Sequence, residues 1–164
     1  MEVVVTDANI FIDLCKTMAA EAFFSLPVKI HTTRYIIDEL ISVAPQMRQF
    51  IDENLLIIKD FGEDEYENLL TFSFENSDTN LSLPDCSALF YAMENGFKLL
   101  TGDMKLRKRS EKYGVDVSGV LWVFDKISEY GVLSPEVLKE KLILLKKINK
   151  RLPFDEIDKR INKL

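Results

Sequence analysis

The chain has 164 residues, of which 47% are hydrophobic and 29% charged, and its formal net charge at pH 7 is −6. This composition supplies the core of one domain and excludes disordered and collagen-like proteins. With one histidine and two cysteines, the chain cannot build sites from paired imidazoles or four thiolates, and it has no disulfide framework. Asp and Glu total 27 against 21 Lys and Arg, so carboxylates are the main candidates for chemistry.

The N-terminal third alternates short apolar runs with helical patterns. The first run stops at Asp7, a residue suited to a turn and a helix N-cap. The third run is continuously apolar until its last residue, which is typical of a strand covered on both faces. The predicted elements are strands over residues 2–6, 28–32 and 55–59, helices over residues 10–25 and 33–42, and a short helix that begins at Pro45.

The alternation continues to the C-terminus and predicts an α/β fold, a three-layer sandwich with a central parallel sheet of four to five strands between helices. Pro84 and the Asn95-Gly96 pair are suited to the start and stop of one of the helices. The predicted elements are helices over residues 62–76, 84–95, 104–112, 120–130 and 135–151, a strand over 98–101, a short strand over 115–117, a polar loop over 76–80, and a last helix after Pro153.

Four acidic residues occupy positions that the predicted sheet brings toward one edge. Asp7 and Asp103 follow the first and fourth strands, Glu39 lies on the helix after the second strand, and Asp85 begins the helix that leads into the fourth. In parallel α/β sheets the ligand crevice lies outside the carboxyl ends of the strands. Carboxylates that gather there stay ionised together when a divalent cation is bound, and oxygen ligands suit Mg²⁺ or Mn²⁺.

Such a site suits phosphodiester hydrolysis, because bound divalent cations activate water and stabilise a leaving oxygen. The plainer interpretation is that acids at strand ends serve as helix N-caps. The sequence pattern alone leaves both interpretations open.

Charge is distributed unevenly along the chain. Residues 52–85 contain ten acids and one basic residue, Lys59, whereas residues 98–112 contain six basic residues and two acids. The basic run begins beside Asp103, so we expect its side chains to border the carboxylate cleft and to bind phosphates of a nucleic acid. The residues expected to contact RNA are Lys105, Arg107, Lys108 and Arg109.

Four blocks of sequence together resemble the PIN domain, the fold of VapC-type toxin ribonucleases. They are VVVTDANIFIDL from residue 3, RYIIDEL from residue 34, LPDCSALFYAMENGFKLLTGD from residue 83 and KLRKRSEKYGV from residue 105. The resemblance implies a nuclease domain over residues 1–133 and a helical extension over residues 134–164 that packs on it.

The resemblance also implies which residues form the site. Asp7, Glu39, Asp85 and Asp103 match the catalytic acids that bind Mg²⁺ or Mn²⁺. Asn9 matches a small polar residue that orients Asp7 or a metal-bound water, and Thr101, two residues before Asp103, is expected to play a similar part. One position departs from the toxin pattern: many members carry a further acid shortly after the last aspartate, where this chain has Lys105 and Leu106. The departure predicts that a second metal ion is held weakly or arrives with the substrate.

The implied function is a metal-dependent endoribonuclease that cleaves single-stranded or looped RNA. By the same resemblance it is the toxin of a toxin–antitoxin pair, inhibited by a small antitoxin, and forms a homodimer. The absence of a secretory signal pattern, of a long apolar run and of many cysteines predicts a cytoplasmic protein without membrane contact.

Two alternatives stay open. One is a PIN-like module that binds RNA or a protein partner with weak or no nuclease activity. The other is a phosphoryl-transfer receiver domain, which requires an acidic pair after the first strand and an aspartate that ends the third. The first strand offers Asp7 alone, and Asp60 falls in a loop after the third, so the receiver domain is disfavoured.

Overall fold

Five short strands alternate with ten helices in the computed structural model, which describes residues 1–164. The strands are β1 (Glu2–Thr6), β2 (Val28–Thr33), β3 (Leu56–Lys59), β4 (Lys98–Leu100) and β5 (Val117–Ser118). The helices are α1 (Ala8–Lys16), α2 (Ala20–Phe24), α3 (Arg34–Val43), α4 (Met47–Asp52), α5 (Glu63–Glu75), α6 (Leu83–Asn95), α7 (Met104–Lys112), α8 (Val120–Glu129), α9 (Pro135–Ile148) and α10 (Phe154–Lys163). A 3₁₀ turn, Ser77–Thr79, lies between α5 and α6.

The strands form one parallel sheet in the order β3-β2-β1-β4-β5. The central strand, β1, pairs Val5 with His31 of β2 and with Leu99 of β4. The backbone N–H of Asp7 donates to the carbonyl of Leu100 at 2.9 Å, so the carboxyl ends of β1 and β4 lie side by side. This confirms the predicted α/β fold with a parallel sheet, and it brings the residues that follow these two strands together.

Each face of the sheet carries its own apolar core. Val4 and Val5 point to opposite faces, since side chains alternate along a strand, and they belong to different buried clusters. The Val4 face is covered by α1, α2, α3, α4, α8, α9 and α10, and the Val5 face by α5, α6 and α7 together with Ile36 of α3. The sheet is therefore buried on both sides, which accounts for the continuous apolar runs of its strands.

The two C-terminal helices complete the larger core. Leu142 and Leu145 of α9 and Ile157 of α10 are buried in the same cluster as Val4. The Ser134 hydroxyl caps α9 by accepting a hydrogen bond from the backbone N–H of Val137 at 3.3 Å. No helix of the chain has the length and apolar character needed to cross a membrane.

The expectation of one continuous helix over residues 10–25 is wrong, because α1 ends at Lys16 and α2 begins at Ala20. The Thr17 hydroxyl donates to the carbonyl of Asp13 at 2.8 Å, and Met18 has a positive φ of 55°. A methionine in the left-handed region cannot continue a helix. The apolar spacing runs through the break because both helices bury residues in the same core.

Candidate active site

Asp7 lies at the junction of β1 and α1 with its carboxylate buried, only 4% of the residue being exposed. Oδ1 accepts a hydrogen bond from the backbone N–H of Ala8 at 2.8 Å. Oδ2 accepts from the Thr101 hydroxyl at 2.7 Å and from the Asn9 amide at 3.1 Å. Three donors from two strand ends therefore fix the orientation of this carboxylate.

Asp103 is joined to Asp7 through Thr101. The backbone N–H of Asp103 donates to the Thr101 oxygen at 3.1 Å, while the Thr101 hydroxyl donates to Asp7. The Asp103 carboxylate caps α7 by accepting from the backbone N–H of Leu106 at 2.9 Å. Thr101 therefore sets the positions of both acids.

Asn9 connects the same two loops from the other side. Its side-chain oxygen accepts from the backbone N–H of Gly102 at 2.8 Å, and its amide donates to Asp7. A Cβ atom at position 102 would lie 3.3 Å from that oxygen, so glycine permits the close approach. Asn9 and Thr101 thus both donate hydrogen bonds to the Asp7 carboxylate.

Asp85 enters the site from the first turn of α6. Its backbone N–H donates to the Ser82 hydroxyl at 3.2 Å, and its carboxylate accepts from the Ser82 N–H at 3.1 Å. This reciprocal pair is a capping box, which stabilises the start of the helix. Asp7, Asp85 and Asp103 all satisfy backbone donors at helix starts, so the capping role and a place in the site coexist in each.

The environment of Asp7 makes its ionisation costly. The pKa of this carboxyl is raised from 3.8 to about 6, mainly because the group is buried and also because of the negative charges of Asp85 and Asp103, while hydrogen bonds from Thr101 and Ala8 oppose the rise. The two neighbouring charges show that Asp85 and Asp103 lie close enough to act on Asp7. A cation bound beside these oxygens would favour the ionised form, so the donor chemistry fits a hard divalent metal.

Glu39 is not joined to this group. It lies exposed on α3, its carboxylate forms no hydrogen bond or ion pair, and its charge is not among those that raise the pKa of Asp7. No set of three or more His, Cys, Asp or Glu side chains is arranged to hold a metal ion. Asp85 and Asp103 therefore act on Asp7 through their charges, whereas Glu39 forms no side-chain hydrogen bond or ion pair with any of the three.

The four basic residues of α7 that are predicted to contact RNA differ in their surroundings. Lys105 and Lys108 are exposed, and the Arg107 guanidinium lies 3.4 Å from the position a Cβ would take on Gly119, just beyond β5. The Arg109 guanidinium instead donates to the side chains of Asn76 at 2.8 Å and Asp78 at 2.7 Å. Arg109 is thus engaged within the protein, whereas the two lysines are free at the surface.

Sequence reasoning missed the partners of Arg109. The Asn76 side-chain oxygen also accepts from the Tyr113 hydroxyl at 3.0 Å, and its amide donates to the carbonyl of Phe72 at 2.8 Å. Asn76 is 1% exposed, an uncommon position for an asparagine unless its polar atoms are bonded. Its place where a helical pattern meets a polar loop was the one available signal, since asparagine is common at helix ends.

Two cavities lie away from the acids. One of about 490 Å³ is bordered by α3 and α4, including Ile37, Ile41 and Ile51. The other, of about 420 Å³, is lined by residues of α8, α9 and α10.

A solved structure of low sequence identity shares the fold. PAE2754 from Pyrobaculum aerophilum is 13% identical, with a TM-score of 0.58 over 78% of this chain and 98% of that one. The PilT N-terminus domain protein SSO1118 from Sulfolobus solfataricus P2 is 11% identical, with a TM-score of 0.48 over 76% and 92% of the two chains. No curated protein matches the sequence.

The receiver-domain alternative finds no support at the end of β3. Asp60, the residue that would have to accept the phosphoryl group, is exposed and ion-paired with Arg34 at 2.8 Å, away from the Asp7 network.

A family model described as PIN domain, DUF3368, matches residues 3–164. Because that match spans nearly the whole length, the chain belongs to the PIN domain family.

Proposed function

We propose that this protein is a divalent-metal-dependent endoribonuclease that cleaves single-stranded or looped RNA. PIN domains are generally nucleases. The observation that carries the proposal is the Asp7 carboxylate, whose pKa is raised by burial and by the charges of Asp85 and Asp103, at a sheet edge that the basic helix α7 borders. An acidic centre next to a basic rim is what hydrolysis of a polyanion requires.

Asp7, Asp85 and Asp103 would hold the metal ion, with Glu39 as a further ligand. A bound Mg²⁺ or Mn²⁺ supplies positive charge that polarises a phosphate oxygen and lowers the pKa of water. The protein's own contribution is orientation. Thr101 and Asn9 hold the Asp7 carboxylate in one position through hydrogen bonds of 2.7 and 3.1 Å, so the site needs little rearrangement when substrate arrives.

The substrate backbone would lie along α7. The exposed ammonium groups of Lys105 and Lys108 bind phosphates that flank the scissile bond, with Arg107 nearer the end of β5. The remaining surface is net acidic, since the chain carries a formal charge of −6. RNA that does not follow the basic rim is therefore repelled, which favours selective binding.

We further propose that the nuclease is a toxin held inactive by a small antitoxin, and that it works as a homodimer. The sequence resemblance to VapC-type toxins supports this role. The test is induced expression in a bacterial host: the wild type arrests growth and an Asp85→Asn variant does not. If cells that accumulate the folded wild-type protein grew as fast as uninduced cells, the toxin role would be refuted and the nuclease proposal would stand.

A second candidate is a PIN-like module that binds RNA or protein without cleaving it. It is favoured by one observation, that no three His, Cys, Asp or Glu side chains are arranged as metal ligands. This candidate predicts RNA binding without cleavage, and the same experiment separates the two functions.

The deciding experiment incubates purified protein and Mn²⁺ with total RNA and maps new ends by sequencing. We expect cleavage at a few sites, reduced at least about 100-fold by Asp85→Asn, a change that keeps a side chain able to cap α6. Asp155→Asn, which alters an exposed acid of α10, is the matched control. Equal cleavage by wild type and Asp85→Asn would refute the assignment, and Mn²⁺ binding by calorimetry shows whether an inactive protein failed at the metal or at the chemistry.

A further inference from the structure

Helix α5 is apolar on its outer side as well as on its inner side. Leu69 and Phe72 are buried against the sheet, whereas Phe74 is 81% exposed, Leu70 42% and Tyr66 38%. Positions 66, 70 and 74 are four residues apart and therefore share one side of the helix. A soluble helix usually keeps that side polar, and contiguous exposed apolar side chains mark interaction sites.

The same side of α5 is strongly acidic. Glu63 and Glu67 precede Leu70 by seven and three residues, which places them in line with it along the helix. Neither carboxylate has an ion-pair partner, and the one nearby lysine, Lys59, is already paired with Glu65. We refer to Glu63, Tyr66, Glu67, Leu70 and Phe74 as the outer face of α5.

We propose that the outer face of α5 docks a basic amphipathic helix of a protein partner. The apolar side chains call for a partner with leucine or phenylalanine every three or four residues, and the unpaired carboxylates call for flanking Lys or Arg. Helix α5 has 13 residues, a length of about 20 Å, so the partner contributes a helix of about four turns. This inference does not depend on nuclease activity.

Charge decides against the other occupants. An RNA could stack bases on Tyr66 and Phe74, but its phosphates would meet Glu63 and Glu67, the opposite of the basic grooves that bind single strands. A second copy of this chain would place acidic α5 near acidic α5 across a two-fold axis, because such an interface uses the same patch on both subunits. Only a basic partner satisfies both the apolar and the charged parts of the surface.

The surface extends to the border of the acidic site. Burial raises the pKa of the Cys86 thiol, which follows Asp85 in the chain, and the side chain of Ser73, next to Phe74, lowers it. The rings of Phe72 and Phe90 lie 5.1 Å apart farther along the same pair of helices. A partner bound on α5 therefore ends close to the start of α6, beside Asp85.

The test measures binding of a fluorescent synthetic peptide of about 16 residues, with leucines at helical spacing and lysines at the remaining positions. Two further peptides serve as comparisons: one with glutamate in place of lysine, and one of the same composition with its leucines scrambled. We expect binding of the first alone, weakened at least about 10-fold by Leu70→Ser with Phe74→Ser and about 3-fold by Glu63→Gln with Glu67→Gln. Ile143→Ser, an exposed apolar residue of α9 that is 40% exposed, is the matched control and leaves the affinity unchanged.

Several outcomes would overturn the proposal. If the scrambled peptide bound equally well, or if the Leu70 and Phe74 changes left the affinity unaltered, binding would depend on nonspecific charge attraction. A wild-type dimer that becomes a monomer in the Phe74→Ser variant would assign the surface to a second copy, and loss of RNA affinity in that variant would assign it to nucleic acid. Because Phe74 is 81% exposed, the single variant folds, and its melting temperature verifies this.

Discussion

Helices α5 and α7 cover the same face of the sheet, yet they present opposite surfaces. Both bury apolar residues in one core, Leu69 and Phe72 from α5 and Leu106 from α7. Outward, α5 shows carboxylates and exposed apolar side chains, whereas α7 shows lysines. The inward residues determine how each helix packs, and the outward residues determine which class of molecule each can meet.

One side chain joins the two surfaces. Arg109 of α7 reaches Asn76 and Asp78, which follow α5, and so neutralises one acid at the boundary. The boundary lies just before α6 and its Asp85. The opposite charges of the two helices therefore meet beside the acidic site, and each prediction below tests one part of this arrangement.

The largest expected effect concerns Asp7, a buried carboxyl whose pKa is also raised by the negative charges of Asp85 and Asp103. Its pKa is raised to about 6 in the folded protein from 3.8. The neutral carboxyl therefore contributes stability that is fully present below pH 3.8 and is lost as pH rises through about 6. The loss amounts to about 3 kcal/mol.

An Asp7→Asn variant removes this ionisation. Measured in EDTA, its free energy of unfolding relative to wild type should rise by about 2.4 kcal/mol between pH 4 and pH 7, because only the wild type ionises a buried group. Urea titrations at several pH values check this. An Asp155→Asn control, changed at an exposed position, should show no such trend. If the difference in free energy of unfolding between Asp7→Asn and wild type did not change with pH, the raised pKa would be contradicted.

The next effect tests the basic surface. Replacing Lys105 and Lys108 by glutamine removes two phosphate contacts, and we expect the affinity for single-stranded RNA to fall about 20-fold at 0.1 M salt. The slope of log K against log salt should decrease by about 1.4. Filter binding in Ca²⁺ over a salt series measures both quantities.

The matched control replaces two exposed lysines of α9, Lys139 and Lys147, by glutamine. It changes the net charge equally and should leave the slope unchanged. If both double variants lost affinity to the same extent, RNA binding would depend on overall charge, and the contrast between α5 and α7 would not govern it.

The fold was predictable from sequence because burial on both faces of a parallel sheet imposes a pattern on every strand and helix. Asp7 and Asp103 were predictable for the same reason, since each follows a strand whose position the pattern determines. The Met18 break was not, because it depends on backbone conformation and leaves the apolar spacing intact. The link from Arg109 to Asn76 joins residues 33 positions apart, and no local pattern encodes such a contact.

The smallest effect tests that link. Arg109→Ala should lower the midpoint of urea unfolding, since it removes the charge-assisted hydrogen bonds to Asn76 and Asp78. Cleavage should slow about 5-fold, because the turn that leads to Asp85 loses its anchor. The RNA salt slope should stay at the wild-type value, unlike that of the lysine variants, and Arg109→Lys should recover part of the stability through one remaining donor. If the RNA salt slope of Arg109→Ala were reduced, Arg109 would leave Asp78 to bind phosphate. All the predicted basic residues of α7 would then bind RNA, and Arg109 would not hold the turn after α5 in place.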